Sequence, residues 1–154
     1  MEFTDHKHGD RFEAKFVSLA PLIGAKKLGA RLCVLAPGKA AWPFHAHYVN
    51  EEMVVVLEGK GCLRLGEERL PLKTGDVVSL PPGGPESAHQ IINDSDADLR
   101  YLAISTMEHP EVALYPDSDK FGVLVGAAPG SKQEARSFEF FGYPKDRKDY
   151  WDGE

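Results

Sequence analysis

The chain has 154 residues, 42% hydrophobic and 27% charged, with a net charge of −6. Those proportions exclude an intrinsically disordered chain, and the acidic balance, without a run of even four Lys or Arg, excludes the electrostatic footprint of nucleic-acid binding. No apolar stretch approaches the roughly 20 residues that span a bilayer, and the opening "MEFTDHKHGD" is too polar for a signal region, so a cytoplasmic protein with no membrane partner is expected.

In chain order, short apolar or alternating runs recur at "FEAKFVSL" (12–19), "ARLCVLA" (30–36), "EMVVVLEG" (52–59), "GCLRLG" (61–66), "ERLPL" (68–72), "DVVSLP" (76–81), "HQIIN" (89–93) and "LRYLAIST" (99–106). All are strand-length and rich in β-formers. Turn signals separate them, among them "APGK", "EGKG", "KTGD" and "PPGGP". That rhythm predicts an all-β sandwich or barrel. Gly59 and Gly75 are placed at hairpin turns, and Pro81-Pro82 ends a strand because proline cannot donate to the ladder. Cys33 and Cys62 lie in apolar runs and are expected to be buried, inert thiols.

The segment "FHAHYVNEEMVVVLEG" (44–59) carries the chemistry. Successive side chains of a strand alternate faces, so His45 and His47 point the same way. "YVNE" turns the chain, and Glu52 opens the next strand with its carboxylate returning to that face. His89 offers a third imidazole if its strand is an antiparallel neighbour. Three imidazoles and one carboxylate suit Zn, Fe, Ni or Mn and leave coordination positions open. Alternation puts Val54, Val56 and Ile91 on the same inner face and Phe44 on the opposite one, which predicts an apolar pocket. Tyr48 and Glu51 are placed at its mouth. Asn93 reads either as an outer support for the ligands or as a turn former. Arg64 and Arg100 are candidate anion contacts only if they turn inward, and no further acid or base stands out as catalytic.

Gly38, His45, His47, Glu52 and Gly59, followed by Gly75, Pro81, Gly83, His89 and Asn93, resemble the two motifs of the cupin superfamily. There is one residue more than usual between Gly38 and His45 and a longer loop, "GPESA", between Gly83 and His89. The resemblance covers residues 30–106. It implies a double-stranded β-helix, a jelly-roll barrel, with one divalent ion (Fe, Mn, Ni or Zn) held inside by His45, His47, Glu52 and His89. "EVALYPDSDKFGV" and the terminal "DYWDGE" resemble uncharacterised single-domain bacterial cupins. The expected organisation is therefore one domain over 1–154, with its barrel at 30–106 and an irregular extension over 107–154.

Three functions follow as expectations: a metal-dependent oxygenase of a small organic molecule first, an isomerase, epimerase or lyase acting on a sugar or keto acid second, and a non-catalytic small-ligand binder third. A homodimer is expected too, because sheet edges and outer faces need cover. Phe138, Phe140, Phe141, Tyr143, Tyr150 and Trp151 crowd the last 17 residues. Phe140, Phe141 and Trp151 are expected to be buried on the barrel or on a partner, with "PKDRK" as an exposed turn.

Overall fold

The computed structural model describes residues 2–131 and 133–154. Thirteen strands account for its regular structure, joined by single turns of 3₁₀ helix. Strands β1 (Thr4–His8), β2 (Phe12–Ser18) and β3 (Leu28–Leu35) lead into a two-residue strand β4 (Ala46–His47). Then follow β5 (Glu52–Glu58), β6 (Lys60–Leu65), β7 (Glu68–Lys73), β8 (Val77–Leu80), β9 (His89–Ile92) and β10 (Leu99–Thr106). Three more complete the order: β11 (Glu111–Tyr115), β12 (Lys120–Val125) and β13 (Phe138–Gly142).

The strands form one wall in the order β1-β2-β3-β10-β5-β8 and a facing wall from two ladders, β13-β12-β11-β4 and β7-β6-β9. The two ladders are stitched by an antiparallel bridge in which the His45 amide donates to the His89 carbonyl at 3.1 Å and the His89 amide returns the bond at 2.7 Å. Every pairing between strands is antiparallel. The all-β reading holds, and every segment taken as a strand contributes one.

Alternation decides what lies between the walls. Along β5 and β10 the in-facing positions Val54, Val56, Leu99 and Tyr101 are buried, and they pack with Cys33, Leu35, Leu63, Leu72, Leu80 and Ile91. Both thiols are free and buried. Burial pushes Cys33 up to about 11, beyond any physiological thiolate. Phe44 takes the opposite face as expected and joins a second cluster with Ala46 and Ala88. Gly59 sits at φ 90° in the turn from β5 to β6, where a Cβ would also run into the Asp98 carbonyl, so this hairpin admits only glycine.

The extension is more regular than its sequence suggested. Residues 111–142 supply β11, β12 and β13, which continue the wall that begins at β4. The expected packing of the tail aromatics against the barrel is not found. Phe140 and Phe141 are 48% and 44% exposed on this chain, and Trp151 is 72% exposed. Strand β13 docks through its backbone ladder instead, and the rings lie over glycines: a Cβ on Gly122 would meet the Phe141 ring at 2.5 Å. The "PKDRK" turn is exposed, as expected.

Candidate metal centre

Three imidazoles and one carboxylate meet at the seam between the ladders. His45 and His47 leave β4 on one face, with ring centroids 5.0 Å apart, and His89 stands 4.7 Å from His45 across the bridge. Glu52, first residue of β5, reaches over from the opposite wall. All three histidines turn Nε2 toward its carboxylate, at 2.8 Å for His89, 3.7 Å for His47 and 4.0 Å for His45. His45, Glu52 and His89 form a group that could hold a metal ion, with His47 completing the ring around Glu52.

The outer nitrogens are tied as well. His45 Nδ1 donates to the Pro43 carbonyl at 2.8 Å, and His89 Nδ1 donates to the Ser87 carbonyl at 3.1 Å. A carbonyl only accepts, so these contacts place the proton on Nδ1 and turn the Nε2 lone pair inward. His89 Nε2 also lies 2.8 Å from Glu52 Oε2, close enough for both atoms to serve one cation. His47 Nδ1 lies 3.3 Å from Glu111 Oε2, an ion-pair approach off the line of a good hydrogen bond.

Burial pushes His45 down from its ordinary 6.5 to about 4, and the neighbouring His89 pushes the same way, so its imidazole is neutral. Burial would raise Glu52, but the His89 hydrogen bond and the surrounding imidazoles outweigh it and hold the carboxyl at about 2. Burial also opposes protonation of His47; Glu111 and Glu52 overcome it and raise that imidazole above its ordinary value. A neutral donor nitrogen beside an ionised carboxylate is the protonation state that a cation requires.

Glu111 escaped notice in the sequence. It is fully buried, and its carboxylate accepts from the Val49 amide at 3.1 Å, the Asn50 amide at 3.0 Å and the Asn50 side chain. Asn50 Oδ1 accepts in turn from Thr106 Oγ1 and from the Glu108 amide. The signal was present in "EVALY", whose alternation sets Glu111, Ala113 and Tyr115 on one face. Ala113 pairs with His47, so that is the face of the ligands.

Several candidates fall away from the site. Tyr48 and Glu51 are exposed and do not line the cavity beside His45. Asn93 is the turn former of the two readings: its amide donates to the Leu35 and Ala97 carbonyls, and its oxygen accepts from Ser95. Arg64 makes a two-pronged pair with Asp117 and stacks on Phe44, and Arg100 faces Glu58. Neither turns inward.

Beside His45, Glu52 and His89 lies a cavity of about 40 Å³ whose other walls include Trp42, Val54, Leu80, Ile91, Tyr101 and Ala103. It is apolar, as expected, and holds no more than a few waters.

The cupin domain family model matches residues 31–105, the segment that builds both motifs and most of the large wall. The barrel is a cupin. Two solved structures extend the likeness over nearly the whole chain. One, assigned as a sugar phosphate isomerase of Acidithiobacillus ferrooxidans, is 28% identical, with a TM-score of 0.75 over 89% of this chain and 80% of its own. A sugar phosphate isomerase of Silicibacter pomeroyi is 26% identical, with a TM-score of 0.74 over 90% of this chain and 82% of its own. Among curated proteins, quercetin 2,3-dioxygenase of Bacillus subtilis is 40% identical over 57 residues, which are 36% of this chain and 17% of that enzyme. The match spans half or less of the length of each such curated relative. Among the described residues no helix is long and apolar enough to cross a membrane.

Proposed function

We propose that this cupin is a metal-dependent isomerase of a small hydroxy-carbonyl compound, with one divalent ion held by His45, His47, Glu52 and His89. One observation carries the reading: three Nε2 atoms face one ionised carboxylate while the outer nitrogens are restrained. Fe, Mn, Ni and Zn all accept such donors. The ion supplies Lewis acidity toward a substrate carbonyl or hydroxyl oxygen. The chain does the remainder. Glu111 orients His47, and the walls of Trp42, Val54, Leu80 and Ile91 leave room for only a few waters on the inner side. Burial raises the Tyr115 phenol, so Tyr115, stacked 6.4 Å from His45, keeps its proton for a hydrogen bond to a substrate oxygen. The two sugar phosphate isomerases, alike over both barrel and extension, support this class ahead of oxygenases, which the shorter dioxygenase match supports over the motif segment alone.

The test starts with elemental analysis of tag-free protein purified without added metal. A stoichiometric divalent ion is expected, and His47→Ala should lose most of it. In deuterated water the loaded protein should then exchange the proton next to the carbonyl of aldose or ketose phosphates, followed by NMR. Oxygen uptake with small acids or phenols, and no such exchange, would replace the isomerase by the oxygenase. Absence of both would leave a small-ligand binder.

The same reading includes a cytoplasmic homodimer. Leu32, Leu102, Val55 and Val77 line up across four strands on the outer face of the large wall, where Val77 is 63% exposed and Met53 adds to the patch. A second copy would cover this apolar row. Light scattering at micromolar concentration should give twice the chain mass; a monomer would end the proposal.

A further inference from the structure

The cavity inside the barrel is too narrow for a sugar-sized molecule, which occupies several hundred Å³ in an ordinary ligand pocket. A substrate of the metal centre must therefore lie against the ligands from another side. The extension offers one. The register Leu114↔Ala46 continues to set Tyr115 beside His45, and Tyr115 pairs with Lys120 on β12. Directly paired residues share a face. His89, His45, Tyr115 and Lys120 thus form one row across four strands, with Ala113, Gly122 and Phe141 in the neighbouring row. Ring contacts agree: Tyr115 stacks toward His45 with planes 24° apart, and Phe141 stands 6.1 Å from Tyr115.

Lys120 is the distinctive member of that row. Its ammonium lies 4.8 Å from the Tyr115 ring centre and 5.8 Å from that of Phe141. It has no ion-pair partner among the described residues, although it is half-buried. Among the described residues Arg136, a second cation that acts on Tyr115, is paired with Glu139. Two strand spacings of about 4.8 Å each separate Lys120 from His45 along the sheet, a span that a phosphorylated hydroxy-carbonyl of a few carbons bridges.

Resting on the isomerase reading above, we propose that Lys120 is the anion contact of the substrate site, taking the phosphate of a phosphomonoester whose carbon chain lies on Tyr115 and Phe141 toward the metal ligands. A lysine over aromatic faces binds phosphate as a point charge, held at a fixed height by the rings. On β12 the Phe141 ring lies over Gly122, where a Cβ would meet it at 2.5 Å.

The experiment is a calorimetric titration of ribose 5-phosphate, ribose and inorganic phosphate into the wild-type protein and into Lys120→Met, Lys120→Gln and Lys120→Arg. Metal content is measured on the same samples. The wild type should bind the ester at least about tenfold more tightly than ribose. Both neutral variants should lose that preference with metal content unchanged, and Lys120→Arg should keep part of it. A wild type without the preference, or a neutral variant that retains it, overturns the proposal. A Lys120-dependent preference in a protein that binds no metal overturns the isomerase reading and leaves the anion contact standing.

Discussion

The two sides of the metal centre are built from different chemistry. On the barrel side, Trp42, Val54, Leu80, Ile91 and Tyr101 present an apolar wall, rigid because the last four belong to the main core and Trp42 packs against it. On the extension side, Glu111, Tyr115 and Lys120 present a polar face on strands outside the segment matched by the cupin domain model. The barrel contributes the proposed metal ligands and low dielectric, which are useful for many reactions. The added strands contribute hydrogen-bonding groups and charge, which in the proposed site would distinguish one substrate from another. One scaffold hosts different chemistries by this division.

The comparison makes predictions that differ in size. The largest effect belongs to the barrel side: Leu35→Ala, at a fully buried position, should cost about 3 kcal/mol in denaturant unfolding, through lost burial and a residual cavity. A cost near zero would mean that the apolar wall is not rigid. Next comes Glu111→Gln, which keeps the shape and removes the charge beside His47 Nδ1. It should weaken Zn²⁺ or Co²⁺ binding by roughly ten- to a hundredfold and lower stability as well, because its amide nitrogen must face buried N–H donors; unchanged affinity would make Glu111 a packing residue alone.

Acid should separate the two sides further. In the metal-free protein His45 has a depressed pKa, so the unfolded chain takes the proton first and stability falls as pH drops from 6.5 to about 4. Glu52 extends that loss from 4.5 down to about 2. His47 acts oppositely, its contribution fading as pH rises through its elevated value. The melting temperature of metal-free protein should therefore fall on acidification, and Lys120→Met should fall in parallel. The smallest effect is expected from removing residues 143–154, whose Tyr150 and Trp151 are 84% and 72% exposed. The change should stay within about 0.5 kcal/mol; a clear drop would show that a second copy buries these rings.

The convergence of His45, His47 and Glu52 was legible because its message is local. His45, His47 and Glu52 lie within eight residues, and strand alternation fixes their relative directions. His89 needed the resemblance to place it. Glu111 and Lys120 were not legible, since their importance comes from a register between β4, β11 and β12 that neither strand states alone. The expected packing of the tail on its own barrel failed for a related reason. Six aromatics in 17 residues signal burial on average, but a strand can dock through its backbone and lay its rings over Gly122 and Gly142 at the surface. Composition reports how much apolar area a segment carries and is silent on which atoms meet it.

The short link between His47 and Glu52 has a consequence in time. It belongs to no strand, yet its four amides are all engaged: Tyr48 with the Val112 carbonyl, Val49 and Asn50 with the Glu111 carboxylate, and Glu51 with Thr106 Oγ1. In hydrogen exchange, protection follows such bonds and not the label of the element. These amides should exchange as slowly as those of the central strands, so the two ligands on either side are held apart at a fixed distance for as long as the barrel itself stays closed.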